Sequence, residues 1–284
     1  MKVAVLGLGA MGSQLLLRLI DQGVDVTGWN RDARRARRAG IPARCVAASA
    51  REAVTGADVV ITMLADGPAV RAVLGDIADA LGEGTLVLDM STSGPAVSRE
   101  VAETLSGRRI RFAEAPVSGS VGAARGGTLT VLFGGAADDL AAAEPVLRHL
   151  GKKTIPLGPV GAASTFKLCL NALLHTFNAT LAEVLGAATR AGIDLRTAYD
   201  TIGESVVAAP FVHYKRDAFL ADGMPPVAFA VDLVRKDLEL FLAAVADPGR
   251  DAPTVGTAAG VVRRAQEAGL GQEDMATLAR LYRP

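Results

Sequence analysis

The chain has 284 residues, half of them hydrophobic, and its 30 Lys and Arg residues balance 30 Asp and Glu residues. This length and hydrophobic content suffice for one large domain or two ordinary domains. A net charge of zero gives no electrostatic reason to expect a nucleic acid or an anionic membrane as a partner. The two cysteines and three histidines lack the spacing of a disulfide framework or a metal site, so we expect neither.

The first half of the chain alternates short β-rich runs with helical patterns. Strands are predicted at residues 2–7, 24–29, 57–64, 85–90, 110–115 and 128–135. A helix near 10–22 follows the first strand, and an arginine-rich helix follows the second. Apolar strands separated by helices predict a parallel sheet covered on both faces.

The pattern becomes helical after about residue 158. A long helix near 160–191 ends at Gly192, and further helices are predicted near 195–204, 227–246, 253–268 and 275–282, with breaks at 223–226 and 247–253. We therefore predict an α/β fold with two domains. Residues 1–158 would form a doubly wound, Rossmann-type domain, and the long helix would join it to an all-α domain over 159–284.

The apolar stretches do not have the composition of membrane or targeting segments. The stretch at 166–191 includes Lys167, Asn171, Glu183 and Arg190, and a lipid-spanning helix would rarely tolerate that many polar groups. The apolar run at the N-terminus ends in glycines, which is typical of a strand that enters a phosphate loop rather than of a signal peptide. We expect a cytoplasmic protein without a membrane partner.

A glycine-rich loop directly follows the first strand and opens the first helix. Its sequence fits the dinucleotide pattern G-x-G-x-x-G and consists of Gly7, Leu8, Gly9, Ala10, Met11 and Gly12. The first glycine of this pattern allows a tight turn, the second lets the backbone approach a pyrophosphate, and the third lets the helix pack on the sheet. The strand before the loop and the helix after it favour a dinucleotide site over a simple turn.

The end of the second predicted strand indicates which dinucleotide binds. NAD-binding loops place a carboxylate there to accept from the ribose 2′-hydroxyl, whereas this chain has Asn30 and Arg31. A guanidinium can pair with the 2′-phosphate of NADP. Asp32 is the alternative carboxylate, but its position suits a cap of the next helix. We predict NADP(H), with NAD possible, and a solvated face for most of the arginines at 34–38.

Lys167 and Asn171 are four residues apart and therefore project from one face of the long helix. By spacing alone, a surface lysine and a surface asparagine would be the simpler interpretation. The helix joins the two predicted domains, however, and clefts between domains are favoured ligand sites. His175, two turns further on, is interpreted as a packed helix residue.

Four motifs together resemble the β-hydroxyacid dehydrogenase family, which includes 3-hydroxyisobutyrate dehydrogenases and glyoxylate/succinic semialdehyde reductases. In chain order they read GLGAMG at 7–12, EAPVSGSVGAA at 114–124, GPVGAASTFKLCLN at 158–171, and Lys236-Asp237-Leu238. The resemblance covers nearly the whole chain. It implies that residues 1–158 form the NADP-binding domain and that residues 159–284 form a substrate and dimerisation domain like the C-terminal domain of 6-phosphogluconate dehydrogenase. Helices of this domain would be buried between the subunits of a homodimer or homotetramer.

The resemblance also implies a role for each matching residue. Lys167 would be the general acid for reduction and the general base for oxidation, and Asn171 would orient the substrate. Ser118, Gly119 and Ser120 would bind the substrate carboxylate. The remaining matches would contact the cofactor, and they are Met11, Leu64, Ala65, Thr92 and Lys236.

Three positions depart from the family motifs. Glu114 replaces an aspartate, Ser120 replaces the second glycine of the substrate motif, and Ala163 replaces the third glycine of the catalytic motif. The text EAPVSGS is closer to the glyoxylate/succinic semialdehyde reductase branch. A methyl group at Ala163 could shift the loop before Lys167.

The resemblance thus implies hydride transfer between a nicotinamide and a small carboxylate-bearing semialdehyde, 2-oxo acid or 3-hydroxy acid, without a metal. Two alternatives stay open. An imine reductase of the same architecture would typically lack the lysine and the Ser-Gly motif, and a non-catalytic dinucleotide-binding protein would have lost the lysine.

Overall fold

A computed structural model describes residues 1–244 and 251–282. The chain forms two compact units, Met1–Lys167 and Leu168–Pro284, which divide inside a long helix. The predicted boundary at residue 158 and the roles predicted for the two domains stay predictions, because a division into compact units does not test them.

The first unit is built on an eight-stranded sheet. Its strands are β1 (Lys2–Leu6), β2 (Asp25–Trp29), β3 (Val59–Thr62), β4 (Leu86–Asp89), β5 (Arg111–Glu114), β6 (Val117–Ser118), β7 (Leu129–Gly134) and β8 (Gly151–Gly158). The order is β2-β1-β3-β4-β5-β7-β6, and β8 pairs with β7. The first five strands are parallel, so the Rossmann-type arrangement is confirmed.

The prediction of a wholly parallel sheet was wrong beyond β5. Strand β7 runs antiparallel to β5 and β6, whereas β8 is parallel to β7. The chain reverses because β6 and a short helix, rather than a full crossover helix, connect β5 to β7. The sequence missed β6, which has two residues, and β8, where two exposed lysines and Pro156 interrupt the apolar pattern. A strand that pairs along one edge tolerates such residues.

Helices cover both faces of this sheet. They are α1 (Ala10–Asp21), α2 (Ala33–Arg38), α3 (Ala50–Val54), α4 (Gly67–Ile77), α5 (Pro95–Ser106), α6 (Val121–Gly126) and α7 (Ala137–Leu150). Strand β1 shows why the sheet needs a layer of helices on each face. Val3 and Val5 pack with α1 and α7, whereas Ala4 and Leu6 pack with α3, α4 and α5. Successive side chains of a strand point to opposite faces, so an all-apolar strand must be covered twice.

The second unit is helical. Its elements are the greater part of α8 (Ala162–Arg190), then α9 (Leu195–Gly203), α10 (Pro210–Leu220), α11 (Val231–Ala244), α12 (Pro253–Glu267) and a 3₁₀ helix (Met275–Leu281). The prediction missed α10, whose buried face includes Lys215 beside Phe211 and Phe219, so its apolar pattern is interrupted. The last element is a 3₁₀ helix and not the predicted α-helix. Residues 245–250, where the predicted end of α11 and most of the break at 247–253 fall, lie outside the described residues.

Helix α8 alone, among the described residues, has the length and apolar composition of a membrane span. Half of its most apolar window is buried inside the protein. A core helix of a globular unit passes the same test, so the composition of α8 is weak support for a membrane-spanning role.

Candidate functional site

The glycine loop at the end of β1 has two glycines that the fold itself requires. Gly7 has a φ of +101°, and a Cβ there would lie 2.3 Å from the carbonyl oxygen of Met63. A Cβ on Gly12 would lie 1.8 Å from the carbonyl oxygen of Gly7. These positions account for the tight turn and for the close packing of α1 on the sheet.

Gly9 is different, because no contact inside the described protein demands a glycine there. The nearest atom to a Cβ on Gly9 would be a guanidinium nitrogen of Arg35, at 3.7 Å. Gly9 is also the N-cap of α1, and no side chain caps this helix within the described residues. The loop therefore offers open space and unsatisfied backbone N–H groups, a combination that fits the pyrophosphate of a dinucleotide.

Asn30 holds the glycine loop against the end of β2. Its side-chain oxygen accepts a hydrogen bond from the backbone N–H of Leu8 at 2.9 Å, and its amide nitrogen donates to the carbonyl of Asp32 at 3.0 Å. The neighbouring Arg31 is exposed. Asn30 thus shapes the loop, and Arg31 is the side chain at this strand end that is available to a phosphate.

Asp32 caps helix α2, as expected. Its carboxylate accepts from the backbone N–H of Arg34 at 3.1 Å and from the Arg34 side chain at 2.9 Å. The hydrogen bond from the Arg34 side chain lowers the pKa of Asp32. Arg34 is engaged with this carboxylate, whereas Arg35 lies over Gly9. Arg35 is exposed, as expected for most of the arginines at 34–38, and only the structure singles it out as the arginine beside Gly9.

A buried carboxylate organises the loops after β3 and β4. Asp89 accepts hydrogen bonds from the hydroxyls of Thr62 and Ser93 at 2.8 and 2.7 Å, and from the backbone N–H of Ser91 at 3.0 Å. Ser91 in turn accepts from the backbone N–H of Leu64 at 2.9 Å. Burial raises the pKa of Asp89, although these hydrogen bonds oppose the shift. The network fixes the segments that carry Leu64, Ala65 and Thr92, and no sequence motif points to it.

The substrate motif forms a tight turn between β6 and α6. Gly119 has a φ of +146°, and a Cβ there would lie 2.8 Å from Leu129. Ser120 caps α6 by accepting from the backbone N–H of Ala123 at 3.2 Å. Ser120 departs from the family motif, and this hydrogen bond shows that its side chain has a structural role. Ser118 is half-buried, and Gly119 and Ser120 are exposed.

Lys167 and Asn171 lie one turn apart on helix α8, as the spacing predicts. Lys167 is half-buried, and Asn171 is 5% exposed. Asn171 donates to the carboxylate of Asp237 at 2.6 Å, and His175 Nε2 lies 3.4 Å from the same oxygen. Lys236 Nζ is 3.1 Å from the other oxygen of Asp237.

The charge state of Asp237 follows from these contacts. Burial alone would raise its pKa, but the hydrogen bond from His175 and the charge of Lys236 outweigh burial and lower the pKa below its ordinary value. Asp237 is therefore a buried anion. His175 is 1% exposed and packs against Phe229 with ring centres 5.5 Å apart, so it is a packed residue as expected.

Apart from Lys167 and the turn at 118–120, the predicted site residues fall into two sets. The glycine loop, Asn30 with Arg31, Leu64 with Ala65, and Thr92 follow the carboxyl ends of β1 to β4, where ligands bind in open α/β sheets. Asn171 and Lys236 share contacts with Asp237 in the helical unit. Within residues 1–244 and 251–282, no group of three His, Cys, Asp or Glu side chains could hold a metal ion.

Family comparisons match the chain in two consecutive parts. The model of the NAD-binding domain of 6-phosphogluconate dehydrogenase matches residues 2–158. The model described as NAD-binding of NADP-dependent 3-hydroxyisobutyrate dehydrogenase matches residues 161–282.

Curated relatives match over most of their own length. The chain is 30% identical to 2-(hydroxymethyl)glutarate dehydrogenase of Eubacterium barkeri, over 99% of this chain and 94% of the relative. It is 29% identical to glyoxylate/succinic semialdehyde reductase 1 of Arabidopsis thaliana, over 98% and 97%. It is 34% identical to a probable 3-hydroxyisobutyrate dehydrogenase of Mycobacterium tuberculosis, over 88% and 87%.

Solved structures agree with these relatives. The 3-hydroxyisobutyrate dehydrogenase of Mycobacterium tuberculosis with L-serine has a TM-score of 0.85 at 31% identity, over 100% of this chain and 99% of that one. An imine reductase from Pseudomonas sp. has a TM-score of 0.65 at 26% identity, over 98% of both chains. The chain belongs to the β-hydroxyacid dehydrogenase family and is an NAD(P)-dependent oxidoreductase.

Proposed function

We propose that the chain transfers hydride between NADP(H) and a small carboxylate-bearing substrate, either a semialdehyde or 2-oxo acid or the matching 3-hydroxy acid. The observation that carries this proposal is the pair Lys167 and Asn171, one turn apart on α8, with the Asn171 amide held by the buried carboxylate of Asp237. A lysine ammonium and an oriented amide can together bind and protonate a carbonyl oxygen.

The nicotinamide cofactor, when bound, supplies or accepts the hydride. The open space at Gly9 and the uncapped start of α1 would receive its pyrophosphate. Arg31 and Arg35 support a preference for NADP, because both are exposed cations at or beside the end of β2. Asp32 is the carboxylate that could instead bind a ribose hydroxyl, but its side chain already accepts hydrogen bonds from Arg34 and from the start of α2. Met11, Leu64, Ala65, Thr92 and Lys236 complete the proposed cofactor contacts.

The turn at 118–120 is proposed to bind the carboxylate of the substrate. The exposed Gly119 has no side chain, so its backbone N–H is accessible, and Ser118 and Ser120 add hydroxyls. Relatives named for 3-hydroxyisobutyrate, 2-(hydroxymethyl)glutarate and succinic semialdehyde act on small acids of this kind. We assign Ser118, Gly119 and Ser120 to the carboxylate of the substrate.

Lys167 would move the proton. In the direction of reduction, its ammonium group donates a proton to the carbonyl oxygen while the carbonyl carbon accepts hydride. In the direction of oxidation, the neutral amine removes the hydroxyl proton. Asn171 orients the substrate and does not compete for the proton, because an amide does not titrate in this range.

The exposed apolar residues of α8 support self-association. Phe166, Leu173 and Val184 are 46%, 71% and 48% exposed. Large apolar side chains along one helix are costly to leave in water, so we propose a homodimer or homotetramer in the cytoplasm. Light scattering would measure the mass directly, and a monomer at micromolar concentration would contradict the proposal.

The function is tested by oxidation of NADPH and NADH, followed by absorbance, with glyoxylate, succinic semialdehyde, methylmalonate semialdehyde, tartronate semialdehyde and a cyclic imine. The variants are Lys167→Ala and, as the control, Lys152→Ala, which removes an exposed lysine of β8. We expect turnover of at least one carboxylated carbonyl with NADPH. Lys167→Ala should lower kcat by about 10²- to 10⁴-fold, the usual contribution of a general acid.

Other outcomes would identify the alternatives. Turnover of the imine alone would indicate an imine reductase. Cofactor binding without any turnover would indicate a non-catalytic dinucleotide-binding protein. Carbonyl turnover that Lys167→Ala leaves unchanged would show that Lys167 is structural.

A further inference from the structure

The start of helix α8 is bound by a carboxylate from a distant part of the chain. Glu114, at the end of β5, is 1% exposed. One of its oxygens accepts from the backbone N–H groups of Gly161 and Ala163 at 2.8 and 3.2 Å, and the other accepts from the hydroxyl of Ser164. Ser164 also shares a 2.9 Å hydrogen bond with Ser98 of α5.

These contacts replace a local helix cap. The first N–H groups of a helix have no partner within the helix, and a negative charge is favourable at that end. Glu114 supplies both an acceptor and a charge, and it does so from the sheet. The first turn of α8 is therefore fixed relative to β5, the last strand of the parallel set, which pairs with the antiparallel strand β7.

The space around this carboxylate is filled. A Cβ on Gly134, in β7, would lie 2.5 Å from the carboxylate of Glu114 and 3.0 Å from the methyl group of Ala163. Ala163 is fully buried. The methyl group of Ala163 thus stands between the helix and β7, beside the carboxylate of Glu114.

We propose that Glu114 is a positioning residue for Lys167, and that Glu114 and Ala163 form a size-matched pair. The carboxylate of Glu114 and the methyl group of Ala163 both crowd the same point beside Gly134. A shorter side chain at position 114 would draw back from the N–H groups of the helix start, and removal of the Ala163 methyl group would let the helix start move toward the sheet to follow it. The inference rests on the proposed role of Lys167.

The link to Lys167 is geometric. Ser164 and Lys167 are three residues apart, so they lie on one face of α8 and one turn separates them. A shift or rotation of the first turn therefore moves the lysine amine. Errors of about 1 Å in the position of a reacting group can lower a rate by as much as 10²-fold.

The test is a double-mutant cycle with Glu114→Asp, Ala163→Gly and the double variant. Controls are Glu144→Asp and Ala141→Gly, which make the same changes at exposed positions of α7. We measure kcat, the KM values for NADPH and for the best carbonyl substrate, and Tm. Glu114→Asp should lower kcat about tenfold, lower Tm by about 3–6 °C, and leave both KM values within about twofold. The double variant should recover at least half of both losses.

Glu114→Gln separates the effect of side-chain length from that of charge. It also provides the test if Glu114→Asp does not fold. Glutamine keeps the length and one acceptor oxygen, so it should retain more kcat than Glu114→Asp. A loss equal to or larger than that of Glu114→Asp would overturn the size match. Additive effects of the two single substitutions on both kcat and Tm would overturn it as well.

Failure of the proposed function has a different signature. If the wild-type protein turns over no carbonyl substrate, the positioning role falls with that function. The Tm values of the cycle still decide whether Glu114 and Ala163 are coupled, because they do not depend on activity.

Discussion

The side-chain amide nitrogen of Asn171 lies 2.6 Å from a carboxylate oxygen of Asp237, and both groups are buried. A carboxylate can only accept at this distance, so the NH₂ group of Asn171 must face Asp237. The carbonyl oxygen of the amide then faces the other way. Asp237 therefore sets the orientation of a proposed substrate-binding group, and it follows Lys236 directly in the chain.

Replacing Asp237 with asparagine should impair turnover. The variant keeps the size of the side chain but removes the charge that makes Asp237 an obligatory acceptor, so the Asn171 amide loses its fixed orientation. We expect kcat to fall about 10- to 100-fold, the range for a hydrogen bond to a charged group. Steady-state kinetics would measure the change, with the exposed Asp222→Asn as control. An unchanged kcat would show that Asp237 does not orient a group that acts in turnover.

The stability of the helical unit should fall in acid. Burial would raise the pKa of Asp274, but hydrogen bonds from Lys215 and from the backbone of Ala276 lower it below its ordinary value of 3.8. The pKa of Asp237 is lowered too. A depressed folded-state pKa gives stability that is fully present above the unfolded-state value and is lost as pH falls through the folded-state value. The free energy of unfolding should therefore decline below about pH 4.

Circular dichroism during denaturation at several pH values would measure this decline. In Lys215→Met, the cation that depresses the pKa of Asp274 is absent, so the free energy of unfolding at neutral pH should drop by about 3–5 kcal/mol. The decline below pH 4 should also be shallower in this variant. A decline as steep as in the wild type would show that the pair of Lys215 and Asp274 does not govern acid stability.

Replacing two glycines of the nucleotide loop with alanine should affect different properties, the stability of the fold in one case and the affinity for NADPH in the other. Gly12→Ala places a Cβ 1.8 Å from the carbonyl oxygen of Gly7, so it should destabilise the fold. Gly9→Ala meets nothing closer than Arg35 at 3.7 Å, so Tm should be unchanged. The new methyl group would occupy space proposed for the pyrophosphate, and the Kd for NADPH should rise at least about tenfold. Calorimetry and thermal unfolding would separate the two effects. Unchanged NADPH affinity in Gly9→Ala would place the cofactor elsewhere.

The arginines should differ in their effect on cofactor preference. Arg31→Ala and Arg35→Ala should each weaken NADPH binding about tenfold and NADH binding less, because a guanidinium pairs with the additional phosphate. Arg38→Ala, at the exposed end of α2, is the matched control. The effect should shrink as salt is added. Equal losses for NADPH and NADH would assign these side chains to the pyrophosphate instead.

Loss of the carboxylate of Asp89 should loosen two cofactor segments together. Asp89→Ala leaves the hydroxyls of Thr62 and Ser93 and the N–H of Ser91 without their shared acceptor. Each buried group left unsatisfied costs about 1–3 kcal/mol, so both the free energy of unfolding and the NADPH affinity should fall. Bound NADPH should restore part of the stability by linkage. Wild-type Tm and Kd would contradict this organising role.

The elements and motifs that depend on neighbours along the chain were predictable from the amino-acid sequence. The apolar runs of β1 to β5 and β7, the glycine turn before α1, and the four-residue spacing of Lys167 and Asn171 are local patterns. Strand and helix periodicities and turn chemistry need only a few adjacent residues, so these features were predicted.

Contacts between groups far apart in the chain were visible only in the folded protein. The carboxylate of Glu114 binds the start of α8 about 50 residues later, Asp237 binds Asn171 across 66 residues, and Arg35 reaches Gly9. The reversal of the sheet at β7 and the buried Lys215 of α10 were likewise missed. Such contacts depend on the packing of whole elements and on which polar groups burial leaves in need of partners, and neither is encoded in a short stretch of residues.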